Sequence, residues 1–416
     1  MLVGALHFTC PPVVGGVERL IAQHARLLRA HGHHVRVLAG RGAPLHPEVP
    51  LLRHPALDSK HPEVLAIGEE LDRGTVSDRF STLSDTLLRF LRQATAEMDA
   101  CIVHNAFTLH FNLPLTWALD RLSRERPGIR WIAWCHDLSW TNPLYVAKMR
   151  PAFPWDLLRT VSETRRYVVV SDDRRRDLSR IAAVDPRQVS VIPAGVDRWD
   201  ALRVRASTRR LLEGLPVDSA LPLLLLPARL NRRKNVELAI RIVRALADRG
   251  LNPLLLVTGP PGPHNPRSVD YVDELRALRR KLGVEQQVAF LYEWGVPAGR
   301  SRRVSDESMT DLYQLCDALL FPSAQEGFGI PLLEAGLARL PVFCSDIPPF
   351  CEIAADRAQF FQLNEPADEI AHRMHERLLA DDVFALRRRV LETFGWPRLW
   401  RERIEPLLLG TDRVAS

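Results

Sequence analysis

The feature that most constrains this chain is an alternation running almost end to end, in which short apolar runs are separated by stretches with helical periodicity. Parallel strands buried on both faces read as continuous apolar runs, and the helices that cover them come between them in sequence. Such runs stand at residues 2–8, 35–39, 100–104, 130–135, 167–171 and 189–192. After Gly15 and Gly16, the residues Val17, Leu20, Ile21, Leu27 and Leu28 recur on one helical face. A second alternation follows, with strand runs at 223–228, 254–258, 288–291, 318–322 and 342–344. Its helical stretches begin at Val236 and cover 272–282 and 329–340. A chain of 416 residues exceeds what one core usually fills, so two α/β domains are expected, with the polar segment 197–218 between them. Residues 72–84 and 259–268 read as long loops, the second rich in Pro and Gly.

Composition removes several classes. No apolar run approaches the ~20 residues needed to cross a bilayer, and the chain starts directly on a strand-like run, which points away from secretion. The six cysteines are scattered without a Cys-x-x-Cys pair, the pattern of reduced core thiols in a cytoplasmic protein and not of a disulfide frame or zinc site. The formal charge of +6 comes mostly from arginine, and no basic tail or aromatic-basic repeat favours nucleic acid. Asp-x-Asp, Gly-x-Gly-x-x-Gly and Gly-x-Ser-x-Gly are all missing. A metal-clamped diphosphate, a dinucleotide dehydrogenase and a nucleophilic serine are therefore disfavoured.

In open α/β sheets ligands bind beyond the carboxyl ends of the strands, and the polar motifs fall there. Glu326 and Glu334 bracket Glu-Gly-Phe-Gly-Ile-Pro-Leu-Leu-Glu just after the strand ending near Pro322. Gly327 and Gly329 let a ligand approach the backbone, and a helix begins around Pro331. Glu334 lies among Ile330, Leu332, Leu333 and Leu337, an apolar setting in which a carboxylate needs a partner such as a ribose diol. Arg229 and Lys234 stand between a buried strand and a helix start, where cations are unfavourable until an anion such as a diphosphate joins them. Gly15-Gly16 opens the first helix, whose backbone donors can reach a phosphate. His136 and Asp137 follow another strand, with His104 a lesser candidate. Downstream, Trp140, Asn142 and Tyr145 lie in an aromatic-rich segment that either stacks on the apolar face of a sugar or staples a loop to its domain.

At these residues the chain resembles the family 4 retaining glycosyltransferases, along nearly its whole length and most closely over 191–352. The resemblance rests on Arg229 with Lys234, on Glu326 with Glu334, on Gly15-Gly16-Val17-Glu18 and on His136-Asp137. Ala194 departs from it, standing where relatives often carry a polar residue. The resemblance implies the GT-B fold: two Rossmann-like domains, 1–197 and 198–392, facing a central cleft, with 393–416 crossing back to the first. It implies retaining, metal-independent transfer of a hexosyl group from a nucleotide-diphosphate sugar, a UDP- or GDP-sugar, to a sugar-bearing or small hydroxylated acceptor. No cofactor is implied. His136, Arg229, Lys234 and Glu326 would carry the chemistry. Gly15, Gly16, Tyr292, Gly327, Phe328, Gly329, Ile330 and Glu334 would complete the donor site, with Asp137, Trp140, Asn142 and Tyr145 on the acceptor. A GT-B epimerase, a disaccharide phosphorylase or a non-catalytic sugar-nucleotide scaffold are the other readings. Arg19, Arg26 and Arg29 on the first helix could meet anionic lipid, but that helix lacks an aromatic face, so a soluble cytoplasmic protein is favoured over a peripheral membrane one.

Overall fold

The computed structural model describes residues 1–261, 267–297 and 302–411. The chain divides into two compact units, Met1–Gly195 with Trp396–Ser416, and Val196–Gly395.

In the first unit seven strands pair in the order β3-β2-β1-β4-β5-β6-β7. They are β1 Leu2–Leu6, β2 His34–Ala39, β3 Leu51–Arg53, β4 Ala100–His104, β5 Arg130–Cys135, β6 Arg165–Val169 and β7 Val189–Val191. Every pair is parallel, as intervening helices demand. One face carries the helix Gly16–Ala30, whose Leu20, Ile21, Ala25 and Leu28 pack with Val3, Ala5, Ile102 and Trp134. The last segment of the chain joins that face. Trp396, Leu399, Trp400, Ile404, Leu407 and Leu408 belong to the same buried cluster, so the C-terminus returns to the first unit.

In the second unit six strands follow the order β10-β9-β8-β11-β12-β13, again all parallel. They are β8 Leu223–Leu226, β9 Leu254–Val257, β10 Val288–Phe290, β11 Ala318–Phe321, β12 Val342–Ser345 and β13 Gln359–Phe361. The four leucines of β8 are fully buried, covered on one side by Leu238, Ile242 and Val243 of the helix Val236–Asp248. Each unit is thus a doubly wound, Rossmann-like α/β domain, and together they give the GT-B class of fold. Both sheets have a topological switch point, between β1 and β4 in the first and between β8 and β11 in the second.

One expectation fails. Residues 72–84 are not a long loop, because the helix Pro62–Asp72 ends there and another runs over Asp78–Ala94. Phe80, Leu83, Leu87, Leu88 and Leu91 form its buried stripe, and the Ser, Thr and Asp residues that suggest a loop lie between those positions. Of the expected loop 259–268, residues 262–266 lie outside the described residues, and Arg267 already starts the helix Arg267–Leu282. All six cysteines are free, five of them buried. Among the described residues no helix is long and apolar enough to cross a membrane.

Candidate active site

The two loops that flank the switch point of the second sheet carry the basic and acidic motifs. The loop after β8 turns at Arg229 and reaches a short 3-10 turn, Arg232–Lys234, ahead of the helix Val236–Asp248. The loop after β11 holds Glu326 and passes through Gly327, Phe328 and Gly329 into the helix Ile330–Leu337. Lys234 Nζ pairs with Glu326 Oε1 and lies 4.9 Å from the centre of the Phe321 ring. Arg233 Nη1 reaches the second Glu326 oxygen at 3.3 Å, and the Arg233 carbonyl accepts a 2.7 Å hydrogen bond from the Ala324 amide. Lys234 and Glu326 keep only 12% and 10% of their side-chain surface exposed, so the pair joins the two loops in a largely desolvated place.

Arg229 differs from its neighbours. Arg232 is held by Glu274, whereas Arg229 is exposed and, among the described residues, no hydrogen bond or ion pair engages its guanidinium. Its backbone is fixed by the loop after β9. The Gly259 amide donates to the Ala228 carbonyl at 3.0 Å, and Leu230 donates to Pro260 at 3.1 Å. A Cβ on Gly259 would stand 2.6 Å from the Arg229 Cα and 2.5 Å from the Ala228 oxygen, so only glycine allows this approach. The result is an anchored backbone presenting an uncompensated cation.

Gly329 adopts a φ of +144°, and a Cβ there would meet the Phe350 ring at 3.0 Å. The helix it caps has a one-sided burial that corrects the expectation for Glu334. Only Leu332 and Ala335 are buried, while Ile330, Leu333 and Leu337 are 60%, 45% and 88% exposed, as is Phe328 at 53%. Glu334 therefore sits on an open face, not in an apolar enclosure, and its partner is the buried Tyr313, whose hydroxyl donates to Oε2 at 2.6 Å. Burial, and then Glu334 itself, pushes the Tyr313 phenol well above its ordinary range. Tyr292 follows β10, at the edge of the second sheet. Its side chain is buried, its carbonyl accepts from the Arg302 amide at 2.8 Å, and its hydroxyl lies 3.4 Å from Arg276.

In the first unit the motifs again border the switch point. Gly15 and Gly16 open the helix Gly16–Ala30, and the Glu18 carboxylate curls back beneath Gly15 while accepting from the Thr9 hydroxyl. His136 follows β5. Its amide donates to Asn105 Oδ1 at 2.8 Å, and its Nε2 lies 3.1 Å from His104 Nδ1. Burial, reinforced by nearby His7, holds its imidazole down to about 4, so it is neutral near pH 7. Asn105 takes a left-handed φ of 60° to reach both the His136 and Asp137 amides. Asp137 accepts from Asn142 Nδ2 at 2.5 Å. Tyr145 leans on Phe111 and His110 with centroids 5.3 Å and 5.2 Å apart. Trp140 donates through Nε1 to the Trp155 carbonyl at 3.2 Å under the Arg159 guanidinium, 4.5 Å from its ring. Those contacts fasten a loop. On the same unit, Arg29 of the first helix is engaged by Glu48.

Three contributors escaped the sequence reading as site residues: Asn105, Tyr313 and the partnership of His104 with His136. Asn105 had one visible signal, an Asn directly beyond a strand at the ligand edge. Tyr313 had none, because it lies 21 residues before the carboxylate it holds.

Two doubly wound, Rossmann-like α/β domains, each with polar loops bordering its switch point, define an α/β protein of the GT-B class. Residues 14–199 match the family model described as Glycosyltransferase Family 4, and residues 209–393 match that described as Glycosyl transferases group 1. The chain belongs to the family 4 glycosyltransferases. It is 40% identical over 114 residues to the serotype-specific mannosyltransferase WbdA of Escherichia coli, covering 27% of this chain and 14% of that protein. It is 30% identical over 246 residues to the D-inositol 3-phosphate glycosyltransferase of Actinosynnema mirum, covering 58% and 56% of the two chains. To the O-antigen chain mannosyltransferase RfbU of Salmonella typhimurium it is 27% identical over 217 residues, covering 52% and 51%. The matches thus span about half the length of the latter two relatives and much less of the first.

Proposed function

We propose that the protein transfers a hexosyl group from a nucleotide-diphosphate sugar to a hydroxyl of a sugar-bearing acceptor, with retention at the anomeric carbon and without a metal ion. The observation that carries this reading is the unpaired Arg229 beside the Lys234–Glu326 pair, at the switch point of the second sheet. A diphosphate placed there would meet the Arg229 guanidinium and draw Lys234 Nζ from Glu326, since both cations stabilise the charge that grows on the leaving phosphate. Glu326, freed in part from Lys234, would accept hydrogen bonds from hydroxyls of the donor sugar. The amides at Phe328 and Gly329, at the positive end of the helix Ile330–Leu337, favour the same anion. Glu334 would accept the two ribose hydroxyls from its exposed face, and the open Phe328 and Ile330 side chains offer apolar contact to the nucleoside.

In the first unit, neutral His136 would hydrogen-bond the transferred sugar, and Asp137, Asn142 and Tyr145 would serve the acceptor. Trp140 is assigned to holding that loop. Metal independence is supported by the missing Asp-x-Asp and by two cations that take the metal's usual charge-neutralising role. Similarity to two named mannosyltransferases supports a hexosyl donor. A thermal-shift panel of UDP-, GDP- and ADP-sugars tests donor recognition, a hundredfold excess over Kd being worth about 2.7 kcal/mol. NMR of the earliest product, formed in EDTA, should show the donor's anomeric configuration. An inverted product, or an obligatory need for manganese or magnesium, would overturn the reading.

A further inference from the structure

We propose that His104 is a positioning residue that fixes the tautomer of His136, so that His136 presents Nδ1–H to the sugar as a hydrogen-bond donor. The inference rests on the reading of His136 as a sugar contact. His104 ends β4 and is fully buried, while His136 follows the neighbouring strand β5. Their rings stack with centroids 5.4 Å apart and an interplanar angle of 17°, and His104 Nδ1 lies 3.1 Å from His136 Nε2. Two neutral imidazoles joined at that contact share one proton, so one ring donates and the other accepts.

The surroundings choose which. His7 Nδ1 lies 3.0 Å from the His104 carbonyl, and a carbonyl only accepts, so His7 carries its proton on Nδ1 and leaves the His104 ring untouched. The other ring nitrogen of His104, Nε2, is buried and has no partner among the described residues. The Trp134 ring, 6.0 Å away between centroids, has its Nε1 buried in the same condition. Indole can only donate. If His104 carried its proton on Nε2, two neighbouring N–H groups would be buried without acceptors, and orphaned buried N–H groups are the rarer and costlier case. His24, with its ring 5.5 Å from that of His104, makes no hydrogen bond that would change the balance. The His104 proton therefore sits on Nδ1 and points at the lone pair of His136 Nε2. Neutral His136 must then hold its own proton on Nδ1. Asn105, gripping the His136 amide, stops the residue from turning away.

The test is long-range proton–nitrogen NMR on the full chain labelled with 15N-histidine, with His136→Gln used to assign the signals. The expected spectrum shows His136 as the Nδ1–H tautomer, and an Nε2–H tautomer overturns the proposal. Kinetics supply the second arm, because the amide of His104→Asn can still donate near the Nδ1 position whereas His104→Leu cannot. His104→Leu should lower kcat for donor turnover roughly tenfold with donor KM within about twofold, and His104→Asn should recover most of that loss. Equal activity in the two variants would contradict a donor role for His104. If His104→Leu does not fold, the tautomer in the wild-type protein decides alone. Unchanged turnover in His136→Ala would instead sink the role of His136 itself and leave the tautomer measurement standing.

Discussion

Tyr313 donates a 2.6 Å hydrogen bond to Glu334 from the buried side of the helix Ile330–Leu337, and so aims a carboxylate that would otherwise swing freely on an open face. Because burial keeps the phenol protonated well beyond neutral pH, the donor persists throughout the working range. Tyr313→Phe should weaken nucleotide-sugar binding by roughly three- to tenfold, the scale of one net hydrogen bond, with kcat nearly unchanged. Isothermal titration with the best donor of the panel measures this. Affinity equal to wild type would mean that Glu334 needs no such support.

Acid should loosen the first unit. Burial holds His24 down to about 3 and His136 to about 4, and keeps His104 well below the usual imidazole range. Each takes up a proton more readily when unfolded, so its neutral burial costs nothing above pH ~6.5 and opposes folding as pH falls below that. The loss runs at about 1.4 kcal/mol per pH unit for each such group until its folded value is reached. Urea denaturation between pH 7.5 and 4.5 should show this slope. His24→Leu, which also removes two buried nitrogens that have no partner among the described residues, should make the slope shallower by about one proton. An unchanged slope would place the acid sensitivity elsewhere.

Gly259→Ala tests how the backbone holds Arg229. The added methyl collides with the Arg229 and Ala228 backbones, so the loop after β8 must shift. Donor KM should rise by roughly tenfold or more, since small misplacements of a charge-stabilising group are costly. An unaltered KM would show that the Arg229 loop tolerates displacement.

Trp140 and Tyr145 separate two readings of the aromatic segment. Trp140→Ala removes the bond to Trp155 and the cover under Arg159, and should lower stability by about 1–3 kcal/mol. Tyr145→Ala, acting on a half-buried ring, should raise the acceptor KM and leave donor hydrolysis alone. Should Tyr145→Ala instead cost stability and spare acceptor kinetics, the whole segment would be a staple.

The strands were legible because parallel, doubly covered strands leave no polar residues in their runs, as in Leu223–Leu226 and Ala318–Phe321. The edge strands β3 and β13 were not, because Leu-Leu-Arg and Gln-Phe-Phe each hold only two adjacent apolar residues. The motifs of Arg229 with Lys234 and of Glu326 with Glu334 could be placed in the fold because both come after the ends of legible strands, β8 and β11. Their environments could not. The apolar neighbours of Glu334 face outward, a fact set by which side of a helix packs on β11 and β12. The cluster of buried His7, His24 and His104 with half-buried His136 comes from four separate segments, and only the parallel register of β1, β4 and β5 brings three of them to one sheet edge.

The central claim is that Arg229 and Lys234 hold and discharge a nucleotide diphosphate, and the most direct measurement is donor turnover in Arg229→Ala and Lys234→Ala. With the nucleotide-sugar that stabilises the wild-type protein most, release of nucleoside diphosphate should fall about a hundredfold or more in each variant, because each loses charge stabilisation of the leaving group. Circular dichroism should remain that of the wild type, since Arg229 is exposed and, among the described residues, unpaired, and Glu326 keeps Arg233 as a partner when Lys234 is removed. Near-normal turnover in both folded variants would contradict the account.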